Sequence, residues 1–250
     1  LTIMPGVKYN MKITISPGDD YFYIGELPKY PVVRIGDQVW MRVNWDANYN
    51  VTDLDAYENH NQLLGSYYQW GSRHAVANGG ETSVNVPWNP SNNPPNNAWN
   101  LGTEKDPIKN PENDPCPDGF RIPTTSELLI LLSNLVQENR GPWSQDAEGD
   151  INNYGAQKYF ASKKNYNTKF IVPAQGFHAY EAYSAFPFYK GTDTRQRAFI
   201  ASFWTSTVTG NNGIEGLAAK EYEVNIFNRG EVATNKLLSH NIRCIYSPEK

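Results

Sequence analysis

Apolar and polar positions alternate strictly over residues 7–15, VKYNMKITI: Val7, Tyr9, Met11, Ile13 and Ile15 point one way, Lys8, Asn10, Lys12 and Thr14 the other. A period of two over that span predicts a half-buried antiparallel strand. Turn residues bracket it, Pro5-Gly6 before and Ser16-Pro17-Gly18 after. A single strand does not fold alone. It is expected either to close a sandwich whose earlier strands precede this sequence or to pair with the rest of the chain. Residue 1 falls inside this strand pattern, so the chain reads as a fragment or processed form. Residues 17–31 read as a linker, with Pro17, Gly18, Gly25, Pro28 and Pro31. A second unit opens at VVRIGDQVWMRVNWD, where Val33 and Ile35, then Val39, Met41 and Val43, alternate around Gly36-Asp37 and predict a hairpin.

Beyond it, LLGSYYQWGSRHAVA (63–77) is mixed in period and reads as a short helix or a strand leading into one. Residues 85–115 are rich in Asn and Pro, the composition of an excursion or functional loop, and Trp88 and Trp99 within them predict that it packs back onto the body. The clearest helix is 125–140: Thr124 as N-cap and Glu127 three residues on make a capping box, with Leu128, Leu131, Leu132, Leu135 and Val136 as the apolar stripe and Gly141 as the stop. Strand-like runs follow at 169–177, 198–207, 218–227, 230–235 and 241–247. One long helix with many antiparallel strands and long loops is an α+β architecture.

Composition narrows the partner classes. Of 250 residues, 39% are apolar and only 19% charged, so polarity comes from Asn, Gly, Ser, Thr and Tyr. A formal net charge of −4 disfavours nucleic acid or an anionic membrane as the main partner. No run approaches the roughly 18 apolar residues of a membrane span, and no leader pattern is visible at Leu1. Aromatics at 13% beside many Asn resemble an extracellular recognition surface.

Enzyme chemistry finds no motif here. His60, His74, His178 and His240 share no metal-binding spacing, and no nucleophile elbow, phosphate loop or dinucleotide fingerprint is present. Cys116 lies between Pro115 and Pro117 with Asp114 and Asp118 near it, a setting that raises a thiol pKa and argues against a nucleophile. No Cys or His stands at zinc-type spacing from it. Its one possible covalent partner is Cys244, and the residues leave a disulfide and a pair of buried thiols both open. Asp146, Glu148 and Asp150 alternate like the start of a calcium loop, but Gly149 comes one place early and Gln157 stands where the bidentate Glu belongs. Calcium there is a secondary candidate beside a solvated acidic turn, and no other cofactor is expected.

Four blocks in order carry a resemblance: VRIGDQVWM, CPDGFRIPTTSEL, FWTST and IRCI. The series resembles the FISUMP ("Fibrobacter succinogenes major paralogous") domain of Bacteroidetes surface proteins over about residues 32–247, with Phe120 and Leu128 where the family usually has Trp. The family is similar to the C-type-lectin fold group. The resemblance implies a C-type-lectin-like domain over 32–250, and it implies that Cys116 and Cys244 are paired. The PG-x-x-Y pattern leading into residues 7–15 is similar to the end of a fimbrillin-type β-sandwich, of which residues 1–16 would be the last strand.

In C-type-lectin folds the C-terminal region carries the ligand face, so the resemblance points to Trp204, Asn211, Asn212, Tyr222, Asn225, Asn228 and Arg229 as ligand-binding residues. Aromatic faces and amide side chains suit carbohydrate, while the lectin calcium motifs are absent. The expected function is a non-enzymatic recognition or adhesion domain on the cell surface. It would belong to a fimbrium, bind a glycan or a surface protein, and contact other fimbrial subunits. The alternative is a purely structural pilus subunit.

Overall fold

The alternation around Gly36-Asp37 folds as expected. β2 (Tyr30–Ile35) and β3 (Gln38–Met41) pair antiparallel from Val32↔Met41 to Ile35↔Gln38. Gly36 makes the turn at φ 60°, a left-handed conformation that glycine adopts without a side-chain clash. The computed structural model describes residues 17–26, 28–80, 88–179, 193–210, 213–228 and 236–248. The strand expected at 7–15, the fimbrillin-like segment 1–16 and the run at 230–235 lie outside the described residues.

Residues 17–31 are not merely a linker. β1 (Tyr21–Ile24) pairs with β2, and the buried Asp19 carboxylate accepts the Gly36 N–H at 2.8 Å. The punctuating Pro and Gly mark turns on either side of a short edge strand. The sheet continues through β16 (Ile245–Tyr246) to β6 (Phe120–Arg121), in the order β1-β2-β3-β16-β6.

Residues 63–77 form a hairpin rather than a helix, β4 (Ser66–Gln69) against β5 (Ala75–Asn78). This hairpin joins the largest sheet through β15 (Ser239–Asn241). The rest of that sheet is β10 (Phe177–Ala179), β11 (Asp193–Arg195), β12 (Ala201–Val208), β13 (Ile214–Ala219) and β14 (Val224–Asn228), ordered β11-β10-β15-β12-β13-β14. A third sheet is β7 (Leu135–Arg140), β8 (Gln157–Ser162) and β9 (Lys169–Pro173). With one α-helix and one 3₁₀ turn (Tyr57–Gln62), the described residues are mostly β.

The helix is shorter than its periodicity predicts. α1 (Thr125–Ser133) starts with the expected capping box, Thr124 accepting from the Glu127 N–H and Glu127 from the Thr124 N–H. It ends at Asn134, and the predicted last turn becomes β7, paired over its whole length with β8. Leu135 then turns inward and Val136 outward at 42% exposure, as a strand requires and a helical stripe does not. A complete ladder of main-chain partners from β8 outweighs the weak helix preference of the tail.

The last predicted strand, 241–247, divides in the same way: β15 belongs to one sheet and β16 to another, with Ile242–Cys244 crossing between them. Arg243 sits in that crossing, fully buried. Its guanidinium donates to Asn44 Oδ1 at 2.7 Å and to the carbonyls of Met41 (3.2 Å), Arg42 (2.9 Å) and Ile171 (2.6 Å). It lies 4.7 Å from the centre of the Phe170 ring. Burial alone pulls its pKa down to about 9. Next to it Cys244 is disulfide-bonded to Cys116, Cα atoms 5.9 Å apart and 128 positions distant in sequence. In the chain-entropy view, closing such a loop is worth up to about 5 kcal/mol.

Asp114 organises the other end of this staple. Its carboxylate accepts the N–H of Cys116 at 2.8 Å and of Ile122 at 2.9 Å, so one buried acid shapes the entry to α1. Burial raises its pKa from 3.8 to about 6, opposed by those two N–H groups and by Lys109 and Arg121. The folded state therefore binds the proton more tightly than the unfolded chain. Asp114's contribution is most favourable below pH 3.8, falls as pH rises to about 6, and is constant above that. The change is roughly 3 kcal/mol. Chemical denaturation from pH 4 to 7 should show this decline, and Asp114→Asn should remove it whatever its effect on stability at a single pH.

Candidate functional site

β13 and β14 are joined by a turn that sequence periodicity hides, because 218–227 reads as one run. The ladder closes at Lys220 and Glu223, with the Lys220 N–H donating to the Glu223 carbonyl at 2.8 Å and the reverse bond at 3.4 Å. Glu221 and Tyr222 form the tip. Tight hairpins normally rely on Gly or Asn at positive φ, yet neither tip residue adopts one. The turn is held from outside instead. The buried Lys158 ammonium, from β8, donates to the carbonyls of Lys220 (3.1 Å) and Glu221 (3.0 Å) and to Asn139 Oδ1 (3.1 Å). Asn139 Nδ2 adds a bond to the Glu221 carbonyl at 2.6 Å. Burial lowers the Lys158 pKa, with Glu221 acting in the opposite sense.

This anchoring presents Tyr222 to solvent at 80% exposure, the most exposed of the large apolar side chains among the described residues. A groove of about 200 Å³ runs beside it, lined also by Ser144, Gln145, Phe199, Lys220, Glu221 and Glu223. Gln145 Nε2 donates to Glu221 Oε2 at 2.9 Å, and Lys220 Nζ stands 5.5 Å from the Phe199 ring centre. The Glu221 carboxylate raises the Tyr222 phenol pKa, so the ring stays neutral at physiological pH. Glu223 is pulled the other way, first by the Asn225 amide and then by Lys220.

Phe199 follows two strained residues. Gln196 (φ 56°) and Ala198 (φ 62°) are left-handed non-glycines, a conformation that costs on the order of 1 kcal/mol or more each and needs support from its surroundings. The acidic segment 144–150 supplies that support. Ser144 N–H donates to the Ala198 carbonyl, Gln196 N–H to the Glu148 carbonyl and Asp150 N–H to the Arg197 carbonyl. Asp146, Glu148 and Asp150 thus sit in a buttressing loop. Asp146 caps the Glu148 N–H and Asp150 the Asn152 N–H, both at 3.0 Å. Among the described residues no group of three or more His, Cys, Asp or Glu side chains gathers in a way that could hold a metal ion.

Of the residues expected to bind ligand, Tyr222 lines the groove; Asn225 does not, and its Nδ2 donates to Oε1 of the groove residue Glu223 at 2.6 Å. Trp204 does not join them. It is fully buried, donates its indole N–H to the Tyr68 carbonyl at 2.8 Å, and packs edge-on against Phe227 and His240. As a core ring it offers no face to a ligand. Asn228 closes β14 opposite Glu215; Asn211, Asn212 and Arg229 lie outside the described residues. Sequence reasoning missed Phe199, Gln145 and Lys158. The one local signal was the polar KEYE interruption between two apolar runs, which marks a turn rather than a continuous strand.

Among the described residues no helix is long and apolar enough to cross a membrane. No family model, no curated protein and no solved structure matches the chain.

Replacing Lys158 by Met keeps its bulk but removes the ammonium's bonds to the Lys220 and Glu221 carbonyls, leaving the first only its long bond from the Glu223 N–H and the second only Asn139, at a cost of roughly 1–3 kcal/mol. Hydrogen exchange at the amides of 220–223 should accelerate in Lys158→Met while β2 and β3 keep their protection. Unchanged exchange at the turn would show that the hairpin holds itself.

Proposed function

We propose that the chain is a non-enzymatic recognition domain that binds a glycan at the Tyr222 groove. The observation that carries this reading is a bare tyrosine ring at 80% exposure on a turn anchored from beneath. A rigid, exposed aromatic face costs free energy in water unless a partner covers it, and sugar rings present the C–H face that stacks on it. Gln145, Glu221 and Glu223 beside it supply hydrogen-bond partners for hydroxyls.

The four ordered sequence blocks support a C-type-lectin-like, FISUMP-type fold and with it a place on the cell surface. The disulfide joins two of those blocks, CPDGF and IRCI. The likeness of residues 1–16 to the end of a fimbrillin sandwich supports a fimbrial setting, in which other subunits are the assembly partners. A calcium ion at Asp146, Glu148 and Asp150 is not needed for this reading, since the groove's polar groups are already oriented by protein partners.

Glycan-array binding tests it. Tyr222→Ala should reduce the signal by tenfold or more, as expected for an aromatic hot spot. The melting temperature should stay where it is, because the ring packs on little. Full retention of binding in Tyr222→Ala would remove the groove from consideration. Silence of the parent chain on every glycan would favour a subunit that serves assembly only.

A further inference from the structure

A second concave surface, of about 440 Å³, opens between the Asn-rich segment around residues 96–104 and the end of β12. One wall carries Asn96, Asn97 and Glu104, and the other Ser206, Thr207 and Thr209. Its volume falls in the range of small-molecule sites. Nothing in the Tyr222 groove accounts for it, since the two share no lining residue.

The Asn-rich wall is rigid despite its loop composition. Trp99 is buried and donates its indole N–H to the Asn113 carbonyl at 3.0 Å. Asn100 Oδ1 accepts the N–H groups of Gly102 and Ile108, each at 2.9 Å. Lys236 Nζ holds the Pro94 carbonyl at 2.7 Å and Asn96 Oδ1 at 3.2 Å. A wall fixed in this way loses little conformational freedom when a ligand arrives.

Glu104 is the central group. One carboxylate oxygen accepts the Ser126 N–H at the start of α1, the other the Thr207 hydroxyl, each at 2.7 Å. A carboxylate has about four lone-pair positions, so two further acceptor positions remain on a group whose rotamer is already set. The Ser206 and Thr209 hydroxyls spend their protons on the carbonyls of Pro123 and Gly213, both at 3.2 Å, and keep lone pairs for acceptance. Asn97 is exposed, and its side-chain amide makes no hydrogen bond among the described residues, so both donor and acceptor are open.

The cleft is therefore rich in acceptors and poor in donors. Among the described residues no Lys, Arg or aromatic side chain lines it. An anionic ligand would meet Glu104 without a compensating cation. A ligand carrying several hydroxyl donors satisfies the acceptors at once, and two adjacent hydroxyls match the two open positions of a carboxylate. We propose that this cleft is a saccharide site for a neutral, hydroxyl-rich sugar unit, read by hydrogen bonds along its edge rather than by ring stacking. Glu104 accepts from a vicinal hydroxyl pair and Asn97 supplies the complementary amide.

Amide-resolved NMR titration of the isotope-labelled chain tests this with the methyl glycosides of glucose, galactose and mannose, a sialoside, and a lysine-rich peptide. At least one neutral glycoside should shift amides in 96–104 and 206–210. Glu104→Gln and Asn97→Ala should each weaken that response fivefold or more, while Tyr222→Ala leaves it intact. Asn97→Ala decides the matter if Glu104→Gln fails to fold, because the Asn97 side chain carries no structural bond. The proposal is overturned if no neutral glycoside shifts these amides, if the sialoside or the peptide shifts them more strongly, or if Asn97→Ala has no effect. Because Tyr222→Ala separates the two surfaces, failure here is distinguishable from failure of the groove.

Discussion

The guanidinium of Arg243 is buried with only neutral acceptors around it among the described residues: an amide oxygen, three main-chain carbonyls and the face of an aromatic ring. Removing a cation from water is costly, and the cost is met only if every donor finds a partner. That condition fixes several pieces of chain simultaneously. The end of β3, the Asn44 loop, β9 and the crossing from β15 to β16 must all bring their oxygens to one point. The disulfide one residue later holds the same crossing to the entry of α1. Removing the guanidinium would leave those oxygens unpaired where water does not reach, which is why the frame depends on it.

The same device recurs wherever irregular chain is buried. Arg197 donates to the carbonyls of Ile151 (2.6 Å) and Gly79 (3.0 Å). Lys158 serves the carbonyls of the Tyr222 turn, and Lys236 serves Pro94 at the wall of the polar cleft. Long loops create main-chain carbonyls that no strand ladder satisfies, and a multi-donor cation satisfies several of them together. A chain that is only 19% charged places some of its few cations inside. Two of the segments held in this way, the Tyr222 turn and the Asn-rich wall of the polar cleft, present aromatic or polar side chains outward.

How much of this was legible depended on whether the signal was local. The β2–β3 hairpin and the capping box at Thr124 and Glu127 follow from short-range pattern, and the structure agrees with both; the strand expected at 198–207 is met over Ala201–Thr207, while 198–200 belong to the turn with left-handed Ala198. The disulfide was one of two outcomes the residues left open, and the family resemblance implied it. The tail of the helix, the strand at 21–24 and the division of 241–247 were not legible, because their conformation is set by partners far away in sequence: β8 for β7, β2 for β1, and two sheets for the last segment. Of the two aromatic rings named for the same chemistry, Tyr222 stands in solvent and Trp204 is core. Sequence identifies a ring; only packing decides whether its face is covered. Phe199 and Lys158 carried no signal, since one depends on strained backbone and the other on a turn held across sheets.

Together these features describe a frame built around a buried cation and a disulfide, and on it a turn that holds an aromatic ring in solvent. The most direct test is a crystal structure of the disulfide-bonded chain with the glycan that scores highest on an array. The account predicts a sugar ring stacked on Tyr222, with hydroxyls bonded to Gln145, Glu221 or Glu223. A glycan seated elsewhere while the Tyr222 ring stays bare would contradict it.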